Sequence, residues 1–246
     1  MKKINILGTE VDNVTHEEAV QRIMDMLYES GNHAVFTPNS EILLLAYKDP
    51  EFCDILNSAD LLTADGIGVV YASKILNNPL PERVAGFDMA TNLVDIIAET
   101  GHRLYLFGGK PGVAEQAEKN LKGKYPLINI VGTHNGYFAP EEVDSIIYDI
   151  NKSRADLVFV CLGAPTQEKW IFNNKHKLNC HVMMGIGGSL DVFAGVSERA
   201  PEIWCDLGLE WLYRLIKEPR RIGRMMALPK FGLTVLFKGN RYKKGN

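Results

Sequence analysis

Residues 103–113 read RLYLFGGKPGV, and this stretch has the strand–turn–helix pattern from which the fold class is predicted. Its apolar start predicts a buried strand, and Gly108-Gly109-Lys110-Pro111-Gly112 predicts a tight turn before a helix. The same order of strand, small-residue turn and helix recurs along the chain. Strands are predicted over 34–36, 60–63, 103–107, 128–131, 156–161 and 181–184. Because strands joined through helices pair in parallel by right-handed crossovers, we predict an α/β fold with a mainly parallel sheet and helices on both faces.

Local signals place several element boundaries. Residues 1–8 predict a first strand. Thr15-His16-Glu17-Glu18 has the pattern of a capping box, in which the Thr15 hydroxyl and the Glu18 carboxylate each accept from a free amide at a helix start. Asp88 is predicted as the N-cap of a helix that runs through Ala98.

Composition indicates a globular protein. The 246 residues are 46% hydrophobic and 23% charged, which argues against disorder. None of the four cysteines forms a C-x-x-C pair or has metal-ligand spacing, so we predict reduced thiols in the cytoplasm rather than disulfides or zinc. No run approaches the roughly 20 apolar residues of a membrane-spanning helix.

The charge of the chain is divided unevenly. Residues 213–246 carry ten Lys/Arg and one Glu, a net +9, whereas the other 212 residues carry a net −12. In this tail the basic residues alternate with Trp, Leu, Met and Phe, and Pro219 and Pro229 divide it into short helices. The pattern favours contact with an anionic membrane surface, ahead of subunit packing and well ahead of nucleic acid. We therefore expect an α/β body over 1–195 and a helical, membrane-contacting appendage over 196–246.

Unusual polar and glycine residues follow the predicted strands. In an open α/β sheet, ligands bind beyond the carboxyl ends of the strands, where small turns let backbone amides approach a phosphate. Each glycine has the alternative role of turn geometry, but together they favour a nucleotide site. Neither G-x-G-x-x-G nor a P-loop is present, which weakens the dinucleotide and P-loop interpretations. The residues concerned are Thr37, Asn39, Asp65, Gly108, Gly109, Gln167, Glu168, Gly187, Gly188 and Asp191.

Asp65 is the carboxylate that best fits a catalytic role. It follows an apolar strand and precedes Gly66 and Gly68, although a helix N-cap is the competing interpretation. The sequence contains no D-x-D pair with apolar neighbours, the motif that would indicate a divalent metal. A diphosphate would then need arginine, whose planar fork binds phosphate oxygens bidentately. Arg83 and the arginines of the tail are the candidates, with an ordinary surface position as the alternative for Arg83.

Several strings together resemble the bacterial WecG/TagA/CpsF glycosyltransferases. The resemblance runs from about residue 37 to residue 224. The most specific strings are GAPTQEKW over 163–170 and GLEWLYR over 208–214. Further matches are TPN over 37–39, ADGIG over 64–68, RVAGFD over 83–88, LFGGKPGV over 106–113, GYF over 136–138, GIGGSLD over 185–191, RAP over 199–201 and EPRR over 218–221.

The resemblance implies a Rossmann-like fold and an inverting, metal-independent transfer without a cofactor. The donor would be UDP-N-acetylmannosamine, and the acceptor the 4-hydroxyl of GlcNAc on a polyprenyl diphosphate, in wall teichoic acid synthesis at the inner face of the cell membrane. Asp65 would be the base, Thr37 and Gln167 would orient the sugars, and Arg83 would offset diphosphate charge. Substrate-binding roles would fall to Asn39, Gly109, Tyr137, Glu168, Gly187, Gly188 and Asp191, and to Arg214, Arg221 and Arg224 of the tail.

Other functions stay open at the level of sequence. The cleft could serve a non-catalytic, membrane-recruited module that binds a nucleotide sugar, or a related transferase that uses another UDP-sugar. A nucleotide-dependent oxidoreductase is the remaining enzyme class. The sequence leaves the oligomeric state open, because an apolar tail can be covered by a second copy as well as by lipid.

Overall fold

The computed structural model describes residues 2–219 and 222–242. Its strands are β1 Lys3–Ile6, β2 Thr9–Asp12, β3 His33–Phe36, β4 Leu61–Leu62, β5 Arg103–Gly108, β6 Asn129–His134, β7 Leu157–Cys161 and β8 Val182–Gly185. Its helices in the body are α1 His16–Met26, α2 Ser40–Lys48, α3 Pro50–Asn57, α4 Ile67–Ile75, α5 Gly86–Thr100, α6 Val113–Lys124, α7 Val143–Ser153, α8 Thr166–Asn174 and α9 Ser189–Phe193. Towards the C-terminus follow α10 Glu202–Asp206, α11 Glu210–Lys217, α12 Ile222–Met225 and α13 Ala227–Lys238.

The main sheet is parallel, as the alternation of strands and helices predicts. Within the described ranges it has six strands in the order β4-β3-β8-β7-β5-β6, and each neighbouring pair is parallel. Side chains alternate across it, with Leu104 and Leu106 on one face and Tyr105 and Phe107 on the other. The first face is covered by α1, α5, α6 and α9, and the second by α2, α3, α4, α7 and α8. This confirms the α/β, Rossmann-like fold class.

The N-terminal strand lies outside this sheet. β1 and β2 form an antiparallel hairpin, because only Leu7 and Gly8 connect them and so short a turn reverses the chain. The hairpin is joined to the edge of the main sheet through Asp12, whose Oδ2 accepts from the Leu62 amide at 2.8 Å. Burial raises the pKa of Asp12, although the hydrogen bond from the Leu62 amide opposes that shift.

The two predicted helix starts have different outcomes. The capping box is confirmed: the Thr15 amide donates to Glu18 Oε2 at 2.8 Å and the Glu18 amide donates to Thr15 Oγ1 at 3.2 Å. The N-cap prediction for Asp88 is wrong, since α5 begins at Gly86 with Ala85 as its N-cap. Asp88 instead directs its carboxylate to arginines from outside its own helix.

The last helix, α13, packs against α2 and α4 of the body. Phe231 and Val235 from this helix are buried in the same core cluster as Leu43 and Val69. Its other side is exposed and carries Leu233, Leu236 and Phe237. No helix in the described part of the chain is both long and apolar enough to cross a bilayer.

Candidate functional site

A cleft of about 620 Å³ lies beyond the carboxyl ends of the parallel strands. The chain leaves β5 towards β6 on one side and leaves β7 towards β8 on the other, so the loops diverge above the middle of the sheet. Such divergence opens a crevice for ligands in α/β folds. Residues of every strand-to-helix loop of the main sheet line this cleft. Its lining also includes ten of the predicted site residues: Thr37, Asn39, Asp65, Arg83, Gly109, Tyr137, Gln167, Gly187, Gly188 and Asp191.

Asp65 lies in the loop that follows β4. Its amide donates to the Pro38 carbonyl at 3.1 Å, which ties this loop to the end of β3. The next residue, Gly66, occupies the N-cap of α4, so Asp65 does not cap its own helix. Its Oδ2 accepts from the Gly86 amide at 3.3 Å, at the start of α5. This hydrogen bond ties the Asp65 carboxylate to the start of α5 at the cleft.

Arg83 joins the start of α5 to the C-terminal helices. Its Nη1 donates to Glu210 Oε2 at 2.8 Å and its Nη2 to Asp88 Oδ2 at 3.4 Å. Burial opposes the charge of the Arg83 guanidinium, but the hydrogen bond to Glu210 and the charge of Asp65 outweigh it and raise its pKa. Arg83 is therefore a charged group that already binds two carboxylates at the cleft wall.

Arg199 extends this network. It donates to Asp88 and places its guanidinium 4.8 Å from the centre of the Phe87 ring, within range of a cation–π contact. The site residues predicted from the sequence do not include Glu210, Arg199 or Asp88. Glu210 lies within the GLEWLYR string, but its partner Arg83 is 127 residues away, so no local pattern indicates the pair.

We expect the pair of Arg83 and Glu210 to contribute measurably to stability. Arg83→Met should lower the free energy of unfolding by about 1.5–3 kcal/mol, because it removes the charged hydrogen bonds from Arg83 to Glu210 and Asp88, of which Asp88 keeps the one from Arg199. Glu210→Gln should lower it less, because the amide oxygen can still accept a hydrogen bond. Urea denaturation midpoints, compared at constant slope, measure both effects. An unchanged midpoint for Arg83→Met would mean that the network is not formed in solution.

Thr37 and Gln167 connect loops from different strands. Thr37 Oγ1 donates to the Gly185 carbonyl at 3.5 Å, and it lies so close to α5 that a Cβ at Gly86 would approach it to 2.6 Å. Gln167 Oε1 accepts from the Gly187 amide at 3.1 Å. These contacts hold the loops after β3, β7 and β8 in fixed relation around the cleft.

The glycine turn after β5 allows close backbone packing. A Cβ on Gly108 would lie 2.3 Å from the Cys161 carbonyl oxygen, and the residue has φ +130°, so only glycine fits there. The Gly109 amide then donates to the same carbonyl at 3.0 Å, and the Gly109 carbonyl accepts from Gly136 at 2.8 Å. The turn thereby joins the loops that follow β5, β6 and β7.

The remaining predicted residues have distinct surroundings. Asn39 caps α2, with its Oδ1 accepting from the Glu41 and Ile42 amides at 2.9 and 3.1 Å. Tyr137 is exposed at the cleft mouth. Asp191 lies in the short helix after Gly187 and Gly188. Burial raises the pKa of the Cys161 thiol well above its ordinary value, and the charge of Asp191 adds to that shift. That thiol is therefore held protonated.

Glu168 differs from the other predicted site residues because it lies beneath the cleft surface. It is 1% exposed, and its Oε1 accepts from Gln167 Nε2 at 2.8 Å. Burial raises the pKa of Glu168, although the hydrogen bond from Gln167 opposes that shift. Glu168 is therefore hydrogen-bonded to Gln167, which lines the cleft.

The C-terminal helices close one side of the cleft. The lining on this side includes Trp211, Glu218, Met225 and Leu228. The backbone just before α11 packs closely against α4, since a Cβ on Gly208 would lie 3.0 Å from Ile67. Arg214 and Arg224 fall in α11 and α12, but their side chains lie outside the described residues, as does the whole of Arg221. Across residues 2–219 and 222–242, no three or more His, Cys, Asp or Glu side chains are grouped so as to hold a metal ion.

Comparisons with known proteins match almost the whole chain. A model of the glycosyl transferase WecG/TagA/CpsF family matches residues 4–245. A Bacillus subtilis (strain 168) protein named N-acetylglucosaminyldiphosphoundecaprenol N-acetyl-beta-D-mannosaminyltransferase is 40% identical over 210 residues, which cover 85% of this chain and 81% of the relative. A protein of the same name from Staphylococcus aureus (strain MW2) is 34% identical over 244 residues, covering 98% of this chain and 95% of the relative.

Proposed function

Because the chain belongs to the glycosyl transferase WecG/TagA/CpsF family, we propose that it transfers N-acetylmannosamine from UDP to the 4-hydroxyl of GlcNAc on a polyprenyl diphosphate. The observation that carries this proposal is the match to mannosaminyltransferases at 34–40% identity over most of each chain. The cleft supports it, because residues from every strand-to-helix loop of the parallel sheet line it together with Asp65. The product would serve wall teichoic acid synthesis.

An inverting transfer is a single displacement in which Asp65 acts as the base. The Asp65 carboxylate accepts the proton of the acceptor 4-hydroxyl as that oxygen forms a bond to the anomeric carbon of the donor sugar. The bond from this carbon to the β-phosphate oxygen breaks, and its electron pair leaves with UDP. Asp65 suits this task because its carboxylate lines the cleft and accepts a hydrogen bond from the Gly86 amide.

Binding of the substrates falls to the loops around Asp65. Thr37 and Gln167 would orient the sugars, and Asn39 and Tyr137 would complete that part of the cleft. The turns at Gly109, Gly187 and Gly188, with Asp191, would form the nucleotide pocket, since backbone amides of small turns can approach a diphosphate. Arg83 contributes positive charge at the wall, where Glu210 and Asp88 hold its guanidinium.

Charge on the departing diphosphate is offset by arginine rather than by a metal ion or another cofactor. The sequence has no D-x-D pair of the kind that binds a divalent metal, whereas the tail supplies Arg214, Arg221 and Arg224. The helices that carry Arg214 and Arg224 also provide the cleft residues Trp211 and Met225. Arginines in these positions would bind phosphate oxygens bidentately and help to exclude water from the cleft.

A lipid-linked acceptor requires the enzyme to work at a membrane surface. We place it on the inner face of the cell membrane, held there by the appendage over 196–246. The exposed apolar side chains of α12 and α13 share this segment of the chain with the exposed basic residues Lys230, Lys238 and Arg241. Each basic residue near an anionic leaflet contributes about 1 kcal/mol. Binding of this strength is reversible, as suits a peripheral protein.

The direct test is turnover of UDP-N-acetylmannosamine with a short-chain lipid-diphosphate GlcNAc acceptor in EDTA. We expect UDP and disaccharide-lipid to form in equal amounts, at a rate that added Mg²⁺ does not raise. UDP-GlcNAc serves as the matched donor control, since it differs only in configuration at C2. Activity that appears only with added metal would overturn the arginine proposal, and UDP release without disaccharide would overturn the transfer itself.

A further inference from the structure

Gln167 and Glu168 lie side by side in the first turn of α8, at the floor of the cleft. Gln167 is 4% exposed and lines the cleft, whereas Glu168 is 1% exposed and lies below it. Gln167 packs tightly against the end of β8, where a Cβ at Gly185 would lie 3.0 Å from Gln167 Nε2. The absence of a side chain at Gly185 leaves the space that this amide occupies.

A chain of two hydrogen bonds runs from Glu168 to the backbone of the β8 loop. Gln167 Nε2 donates to Glu168 Oε1 at 2.8 Å, and the Gly187 amide donates to Gln167 Oε1 at 3.1 Å. The two ends of a glutamine amide have nearly the same shape, so packing alone does not distinguish them. Glu168 Oε1 is the acceptor in this pair, so the amide nitrogen of Gln167 lies on the Glu168 side. The amide oxygen is then left for Gly187.

A purely structural role is poorly served by a glutamate at this position. Glu168 Oε2 is buried without a hydrogen-bond partner among the described residues, and desolvation raises the pKa of the carboxyl. An apolar side chain of the same size would fill the space without that penalty. Departures of this kind from the rules of core packing are concentrated at functional sites.

We infer that Glu168 is a positioning residue for the transfer reaction, acting through Gln167. By setting which end of the Gln167 amide faces Gly187, it determines the hydrogen-bonding groups that the cleft offers to the sugars and the orientation of the Gly187 peptide. This inference rests on the proposed function for its effect on turnover, but the orientation of the amide can be measured without any substrate.

The test is a double-mutant cycle of Glu168→Met and Gln167→Met, with Glu168→Gln as the conservative control. We expect Glu168→Met to lower kcat by about 10–100-fold, the range of a hydrogen bond to a charged group. Added to Gln167→Met, it should lower kcat no further, because its effect passes through Gln167. Glu168→Gln should recover most of the activity, since its side-chain oxygen can still accept from Gln167.

Hydrogen exchange of the Gly187 amide is the second readout. We expect faster exchange in Glu168→Met and near-normal exchange in Glu168→Gln, with circular dichroism confirming that both variants are folded. The inference would be overturned if Glu168→Met lowered kcat by the same factor in the wild-type protein and in the Gln167→Met variant. Unchanged Gly187 exchange in folded Glu168→Met would overturn it as well. A wild-type protein that transfers no sugar would refute the proposed function instead, and Gly187 exchange would still decide whether Glu168 orients the Gln167 amide.

Discussion

Asp65→Asn is expected to lower kcat for sugar transfer by about 10²–10⁴-fold, the usual contribution of a general base. Asparagine keeps the shape of the side chain, and its oxygen can still accept from the Gly86 amide as Asp65 does at 3.3 Å. The amide cannot take up the proton of the acceptor hydroxyl. The affinity for UDP should change little, because the loss concerns the acceptor side of the reaction.

Initial rates and calorimetric UDP binding separate these two effects. Asp54→Asn is the matched control, since it makes the same chemical change on the exposed surface of α3 and should leave the rate unchanged. Near-normal turnover of Asp65→Asn would eliminate Asp65 as the base. A fall in UDP affinity equal to the fall in rate would assign Asp65 to donor binding instead.

Phe231→Ala is expected to lower the free energy of unfolding by about 3–5 kcal/mol, as large aromatic truncations in well-packed cores do. Phe231 is 2% exposed and belongs to the core cluster that includes Leu43 and Val69. Its truncation leaves a cavity between α13 and the helices of the body. Because α12 and α13 also supply Met225 and Leu228 to the cleft, the variant should lose transfer activity as well.

Phe237→Ala provides the control within the same helix. Phe237 is 77% exposed, so its truncation should change stability by no more than about 0.5 kcal/mol. Urea denaturation gives the difference between the two variants, and limited proteolysis shows whether α13 has detached from the body. Equal effects of the two substitutions would mean that α13 does not dock in solution through Phe231.

Much of the fold follows from local patterns in the sequence. Apolar runs that end in small residues predict the strands of the main sheet, and the capping box at Thr15 marks the start of α1. The parallel arrangement follows because helices separate these strands. The same patterns place eight of the predicted residues at one cleft, since the carboxyl ends of parallel strands share one edge of the sheet, whereas Tyr137 was indicated only by the family resemblance.

The errors arise where a residue type or a local pattern allows more than one arrangement. Asp88 has the residue type of an N-cap, yet its carboxylate binds Arg83 and Arg199, the latter 111 residues away. The first strand was predicted correctly as a strand, but its two-residue turn places it in a hairpin outside the main sheet. In both cases a local preference was compatible with more than one tertiary arrangement.

The sequence by itself determined the alternation of strands and helices, the glycine turns and the basic, apolar character of the tail, because each depends on neighbouring residues. Only the tertiary structure decided that Arg83 pairs with Glu210, that Gln167 links Glu168 to Gly187, and that α13 buries Phe231 and exposes Phe237. Strand order and helix packing decide which groups come within hydrogen-bonding distance. Residues more than a hundred positions apart carry no shared local pattern that would reveal such a contact.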